Sequence, residues 1–283
     1  MDTLDEFMMT RPPTARRPLL GLTVLVVEDS RFACEAVRLL CLRSGARIRR
    51  ADSLEHASKH LGVYRPSVLI VDVGLPDGSG LELIESCASA ATRIDVILGT
   101  SGDADAEMAV LAAGADGFIA KPIASLSAFQ SAILAHLPDD RQPPGPRLLS
   151  DEIVSPDMIA YQDDLSHVVS VIEADDGSET LGYITQFLGG LARSVADDDL
   201  DQAVSALAEK HALGSSTHAD MTALGKMVPV FGPTVRPVRA FPRLPHHPQW
   251  RDKQRTGIAP ARLIDAITSH PKGTHGRRDK PLW

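Results

Sequence analysis

Between Leu19 and Leu137, short runs of β-branched and aliphatic residues alternate with longer stretches of helical period. The short runs are TVLVV (23–27), RIRRA (47–51), VLIVD (68–72), VILGT (96–100) and GFIA (117–120). After each of them, apolar positions recur at helical intervals, over Arg31–Ser44, Ser53–Leu61, Gly80–Ala91, Asp105–Ala113 and Leu126–Leu137. Ser30, Ser53 and Ser125 stand where N-caps belong. Strands interleaved with helices in this way predict an α/β fold, a five-stranded doubly wound parallel sheet with helices on both faces. Burial on both faces also explains why positions 68–71 are apolar throughout instead of alternating.

Past Leu137 the pattern changes. Residues 138–150, PDDRQPPGPRLLS, hold four prolines and a glycine and read as a linker, drawn at 139–150. A helical pattern follows over 151–228, with Leu181, Ile184, Leu188, Leu191 and Val195 at one set of helical intervals. Leu200, Val204, Leu207 and His211 form another, and a short last helix is expected at Met221–Val228, ended by Pro229. Residues 229–283 are rich in proline and show little periodicity, so a disordered tail is expected there and a disordered arm at 1–18.

Charge sharpens this division. From Val228 onward eleven Lys/Arg face three Asp, a net of +8, so residues 1–227 carry −16 and the whole chain −8. The N-terminal MDTLDEFMMTRPPTARRP is acidic at its start and has no apolar core of a secretory signal. No apolar run approaches the ~20 residues of a spanning helix, and a cytoplasmic location is expected. Cys34, Cys41 and Cys87 have no metal-ligand spacing and read as buried thiols of a reducing compartment.

In a parallel sheet of this kind, ligands bind beyond the carboxyl ends of the strands. Asp72 ends the third strand, and Glu28 and Asp29 follow the first in VVEDS. Three converging carboxylates repel one another unless a cation intervenes, and Mg²⁺ prefers carboxylate and phosphate oxygens. The fifth strand runs into Lys121-Pro122, aiming an ammonium at the same edge, and the fourth ends at Thr100. Carboxylates, a metal, a lysine and a hydroxyl suit an incoming phosphoryl group, with Asp72 as the nucleophile.

VVEDS (26–30), VDVGLPDGSG (71–80), Thr100-Ser101 and GADGFIAKP (114–122) resemble, in order and spacing, the receiver domain of bacterial two-component response regulators, a flavodoxin-like fold. The resemblance covers 21–138 and is set at 19–138 as a domain. It implies that Asp72 is the phosphoacceptor, that Glu28, Asp29 and Asp72 hold Mg²⁺ with the backbone carbonyl of Gly74, and that Lys121 pairs with the phosphate. It also implies a switch made of Thr100 and Phe118, where the family more often has tyrosine at the latter position. The partner implied is a sensor histidine kinase or a phosphotransfer protein, and a homodimer is compatible with the fold.

Within 151–228, LAEKHALGSS (207–216) resembles the phosphohistidine helix of histidine-phosphotransfer domains, with His211 as the phosphotransfer candidate and the family's usual lysine absent. A capping or surface histidine in a helical docking module is the competing reading. His56 and His60 lie four apart on one helix without a third metal ligand. The function expected is a phosphorelay response regulator that switches protein–protein contacts and is not itself an enzyme. The alternatives are a DNA-binding transcription regulator using the C-terminal region, or a receiver scaffold that never takes phosphate. The acidic VADDDLD (195–201) does not suit DNA, and the basic tail interleaves few aromatics.

Overall fold

The computed structural model describes residues 12–145, 149–174 and 178–213. Five parallel strands, β1 (Thr23–Val27), β2 (Arg47–Ala51), β3 (Val68–Asp72), β4 (Val96–Ser101) and β5 (Gly117–Ala120), form one sheet in the order β2-β1-β3-β4-β5. Helices α1 (Arg31–Ser44), α2 (Leu54–Leu61), α3 (Gly80–Ala88), α4 (Ala106–Ala112) and α5 (Leu126–Leu134) connect or follow them. A two-residue hairpin, Gly74–Leu75 with Gly78–Ser79, separates β3 from α3. The doubly wound sheet expected from the alternation is present.

The strands are apolar throughout because alternate residues feed two different cores. Val24, Val26, Val68, Ile70, Val96 and Leu98 pack on one face with residues of α1 and α5. Leu25, Val27, Leu69, Val71 and Ile97 pack on the other with Leu83, Ile84 and Val110. Each fully buried aliphatic side chain is worth roughly 1.5–3 kcal/mol. The three expected N-caps operate: the hydroxyl oxygens of Ser30, Ser53 and Ser125 accept from the backbone N–H of Ala33, His56 and Ala128. Gly45 ends α1 at φ +86, a conformation that suits glycine. Gly99 on β4 lets α4 approach, since a methyl there would fall 2.4 Å from Val110.

All three cysteines are buried in these cores. Burial pushes the Cys41 thiol up to about 12 and the Cys87 thiol up to about 11. The thiolate is the reactive form. Aromatic disulfide reagents at pH 8 are therefore expected to label none of the three on the timescale at which they label the unfolded chain.

At two places the structure adds contacts to the domain bounds drawn from the sequence. Residues 12–18, expected in a disordered arm, include a closed turn in which Thr14 and Arg17 exchange backbone hydrogen bonds, anchored by fully buried Leu19. The start of the expected linker is tied to the α/β domain. Arg141 pairs with Asp95 at 2.7 Å, and the Gln142 amide donates to the Leu137 and Leu134 carbonyls at the end of α5. Composition reported the absence of an apolar stripe there, and polar side chains supply the attachment.

Beyond the linker lie α6 (Met158–Ala174), α7 (Ser178–Val195) and α8 (Asp198–Ala212). Tyr161, Leu165 and Val168 of α6 meet Leu181, Ile184, Leu188 and Leu191 of α7 and Leu200, Val204 and Leu207 of α8. Phe32, from α1 of the α/β domain, completes this second core and meets Tyr161 edge-on, ring centroids 5.9 Å apart. The expected last helix at Met221–Val228 and the tail at 229–283 lie outside the described residues.

Candidate functional site

Parallel topology brings the carboxyl ends of β1, β3, β4 and β5 to one edge, and the residues singled out from the sequence gather there. One carboxylate oxygen from each of Glu28, Asp29 and Asp72 lies within 4.8 Å of the others. Lys121, just past β5, places its ammonium 2.6 Å from Glu28 Oε2 and 2.9 Å from Asp72 Oδ2. The β3–β4 register sets Asp72 directly beside Thr100. The Gly74 N–H reaches back to Asp72 Oδ1 at 3.4 Å. Gly80 allows the close return of the chain, because a methyl there would overlap the Asp72 carbonyl oxygen at 1.9 Å.

The electrostatics follow from burial. Withdrawal from water pushes Glu28 up to about 7, with Lys121 opposing and Asp72 adding to the rise. Burial, then the charges of Glu28 and Asp72, hold Asp29 well above the usual carboxylate range. For Lys121 burial favours the neutral amine, but the Asp72 and Glu28 carboxylates outweigh it and keep the ammonium. One ammonium against three carboxylates leaves the ionised cluster two charges negative. Asp29 Oδ1 is moreover buried with no hydrogen-bond partner. An all-oxygen set, short of a double positive charge and holding an orphaned oxygen, fits a hard divalent ion such as Mg²⁺.

Of the two residues expected to form a switch, Thr100 is at the same edge and Phe118 is one step back along its strand, beside Gly99. The Thr100 hydroxyl, expected to face the phosphoryl site, donates to the Ile119 carbonyl on β5 at 2.8 Å. Phe118 is half-buried against the core on the α3 and α4 side. His211 stands elsewhere, in the last turn of α8, and the residues from Gly214 onward that would complete a phosphotransfer helix lie outside the described set. His56 and His60 do not act together: the Nδ1 of His56 meets Asp52, and that of His60 meets the Tyr64 hydroxyl at 3.2 Å.

Sequence reasoning missed three site residues, all on the helices beyond the linker. The Tyr183 hydroxyl donates to Asp29 Oδ2 at 2.7 Å. The Gln186 amide lies so close to Gly74 that a methyl there would fall 2.3 Å from its Nε2. Asp164 caps α1, accepting from the Ser30 hydroxyl at 2.7 Å and from the N–H groups of Arg31 and Phe32 at 2.8 and 3.0 Å. Asp164 alone carried a legible signal, since it occupies a place in the stripe of Tyr161, Leu165 and Val168, where a carboxylate must find donors.

Comparison with known proteins agrees with this geometry. Residues 24–133 match the family model described as the response regulator receiver domain. The KDP operon transcriptional regulatory protein KdpE of Escherichia coli is 30% identical over 99 residues, 35% of this chain and 44% of that protein. The virulence transcriptional regulatory protein PhoP of Salmonella typhimurium is 32% identical over 102 residues, 36% of this chain and 46% of that one. A crystal structure of a putative response regulator from Chloroflexus aurantiacus is 32% identical, covering 40% of this chain and 98% of that one at a TM-score of 0.37. The chain thus carries a response regulator receiver domain over residues 24–133. It spans about half the length of the curated relatives it matches. Among the described residues, no helix is long and apolar enough to cross a membrane.

Proposed function

We propose that this chain is a cytoplasmic response regulator that accepts a phosphoryl group on Asp72 from a sensor histidine kinase or a phosphotransfer protein, and that the acylphosphate switches its protein–protein contacts. The observation that carries this reading is the convergence of Asp72, Glu28, Asp29 and Lys121 at one sheet edge. A carboxylate oxygen of Asp72 attacks phosphorus and forms a P–O bond. The P–N bond to the donor imidazole breaks, and that ring keeps the electron pair and takes a proton. Lys121, already bonded to Asp72, then balances charge on the phosphoryl oxygens. Glu28, Asp29, Asp72 and the Gly74 carbonyl are the groups that would hold Mg²⁺, which supplies further charge neutralisation when bound.

The phosphoryl group adds roughly −1.5 to −2 charge, by analogy with other phospho-residues. It competes with the Ile119 carbonyl for the Thr100 hydroxyl, and Phe118, on the strand beside Thr100, refills the space. The surface of α4 and β5 changes in consequence. Regulation of DNA is less favoured, because the first turn of α8 presents Asp198, Asp199 and Asp201.

The test is direct. Incubated with acetyl phosphate and Mg²⁺, the protein gains an adduct of about 80 Da, the mass of one phosphoryl group, and Asp72→Asn gains none. A wild-type protein that takes no adduct under these conditions is a scaffold instead.

A further inference from the structure

We infer that α7 occupies, in the same molecule, the surface that a phosphodonor protein must use, so that the docked helix is an inhibitory cover over Asp72. This inference rests on the phosphoacceptor reading above. Tyr183, Gln186, Gly190 and Arg193 follow one another at intervals of three, four and three residues, a single stripe of α7. The opposite stripe, Leu181, Ile184, Leu188 and Leu191, is the one buried against α6 and α8. The helix is therefore sided: its apolar face is turned to its own module and its other face lies toward the receiver domain. Tyr183 also edges the module's core, and Arg193 is also paired with Asp201 of α8 at 3.0 Å.

That other face crosses the functional edge strand by strand. Tyr183 is bonded to Asp29 after β1, and the Gln186 amide lies against Gly74 after β3. Gly190 and Arg193 lie against Gly102 after β4, where a methyl would fall 3.1 Å from Gly190 Cα and 2.8 Å from the Arg193 guanidinium. The span from Tyr183 to Arg193 is about 15 Å at the helical rise. Two strand spacings, from β1 to β4, amount to about 10 Å. The helix is long enough to cross all three strand ends obliquely.

Access follows from this placement. Asp72 is 7% exposed. A cleft of about 970 Å³ between α2 and α6 reaches Glu28 and Asp29, but Asp72 is not among the residues that line it. Water and a metal ion have an approach to the acidic pair, whereas any phosphodonor, small molecule or protein, has to reach Asp72 across the strand ends that α7 crosses. The attachment is polar and specific. Besides Tyr183–Asp29, Asp164 caps α1 and Asp163 pairs with Arg31 at 2.6 Å, so α6 holds the module to the receiver while α7 lies over the edge.

The test uses the full chain carrying Tyr183→Phe and Gln186→Ala, substitutions on the polar stripe that leave the module's core intact. Tyr183→Phe alone is the second variant, because it keeps the ring. Labelling by acetyl phosphate with Mg²⁺ is expected to run about tenfold faster in the double variant, as for the loss of one charge-assisted hydrogen bond. Hydrogen exchange measured without metal or phosphodonor is expected to quicken at 73–80 and 102–105. Labelling of the double variant at the wild-type rate, or unchanged exchange in those loops, overturns the cover. Slower labelling of Tyr183→Phe also overturns it, since that result makes Tyr183 a positioning residue for Asp29. If neither the wild type nor the variants label at all, the phosphoacceptor reading fails, and the loop exchange by itself still decides whether α7 is docked through Tyr183 and Gln186.

Discussion

Lys121→Met is expected to lower the stability of the protein by about 3–5 kcal/mol, the usual cost of removing one partner from a buried ion pair. The side chains concerned are nearly withdrawn from water: Lys121 and Asp72 are each 10% exposed and Glu28 is 3% exposed. Methionine keeps the length and apolar stem of lysine but leaves two carboxylates facing each other without a counter-charge. The measurement is a pair of urea titrations in which the midpoint falls and the slope is unchanged. Two additions locate the cause. Asp72→Asn in the Lys121→Met background recovers part of the loss by removing one of the repelling charges. Millimolar Mg²⁺ recovers part of it too, because a ligand that binds only the folded state stabilises it by mass action. A variant as stable as the wild type would mean that Lys121 contributes nothing net to the folded site.

The second large effect is expected at Asp164, which joins the helical module to the start of α1. Asp164→Ala leaves the Ser30 hydroxyl and the N–H groups of Arg31 and Phe32 without their acceptor. Hydrogen bonds to a charged group are worth about 1.5–3 kcal/mol each, and some of these donors regain water, so a net loss of about 2–4 kcal/mol is expected. Burial raises the Asp164 carboxyl from 3.8 to about 6, against the lowering effect of the donors from Phe32, Ser30 and Arg31. A folded-state value above the unfolded one means that the folded chain takes up the proton more readily. The stability linked to that proton is fully present below pH 3.8 and is lost as pH rises through 6. The Asp164→Ala variant therefore lacks that part of the wild-type stability profile between about pH 4 and 6.5, which denaturant midpoints across the interval measure.

The receiver half of the molecule was legible for a physical reason. Periodicity reports which positions are buried, and parallel topology then carries the carboxyl ends of all strands to one edge. Glu28, Asp29, Asp72, Thr100 and Lys121 each sit at or just past such an end, so locating the strands located the site. Thr100 shows where that reasoning stops. Its place on the edge followed from the strand, but its hydroxyl direction followed from the nearest acceptor, the Ile119 carbonyl. The helices beyond the linker were read only as helices. Their apolar stripes announced burial without naming what they would bury against, and Phe32 gave no sign of belonging to their core.

From the chain alone came the five-stranded sheet, the acids and the lysine at its carboxyl edge, and the all-oxygen chemistry that suits a phosphoryl group and a divalent ion. These depend on local period and on a topology with one functional edge. Only the tertiary structure decided that a tyrosine 154 residues from Asp29 closes on it and that α7 lies over the strand ends. A polar contact between distant helices leaves no periodic trace, because it depends on where two separately buried faces bring their remaining side chains.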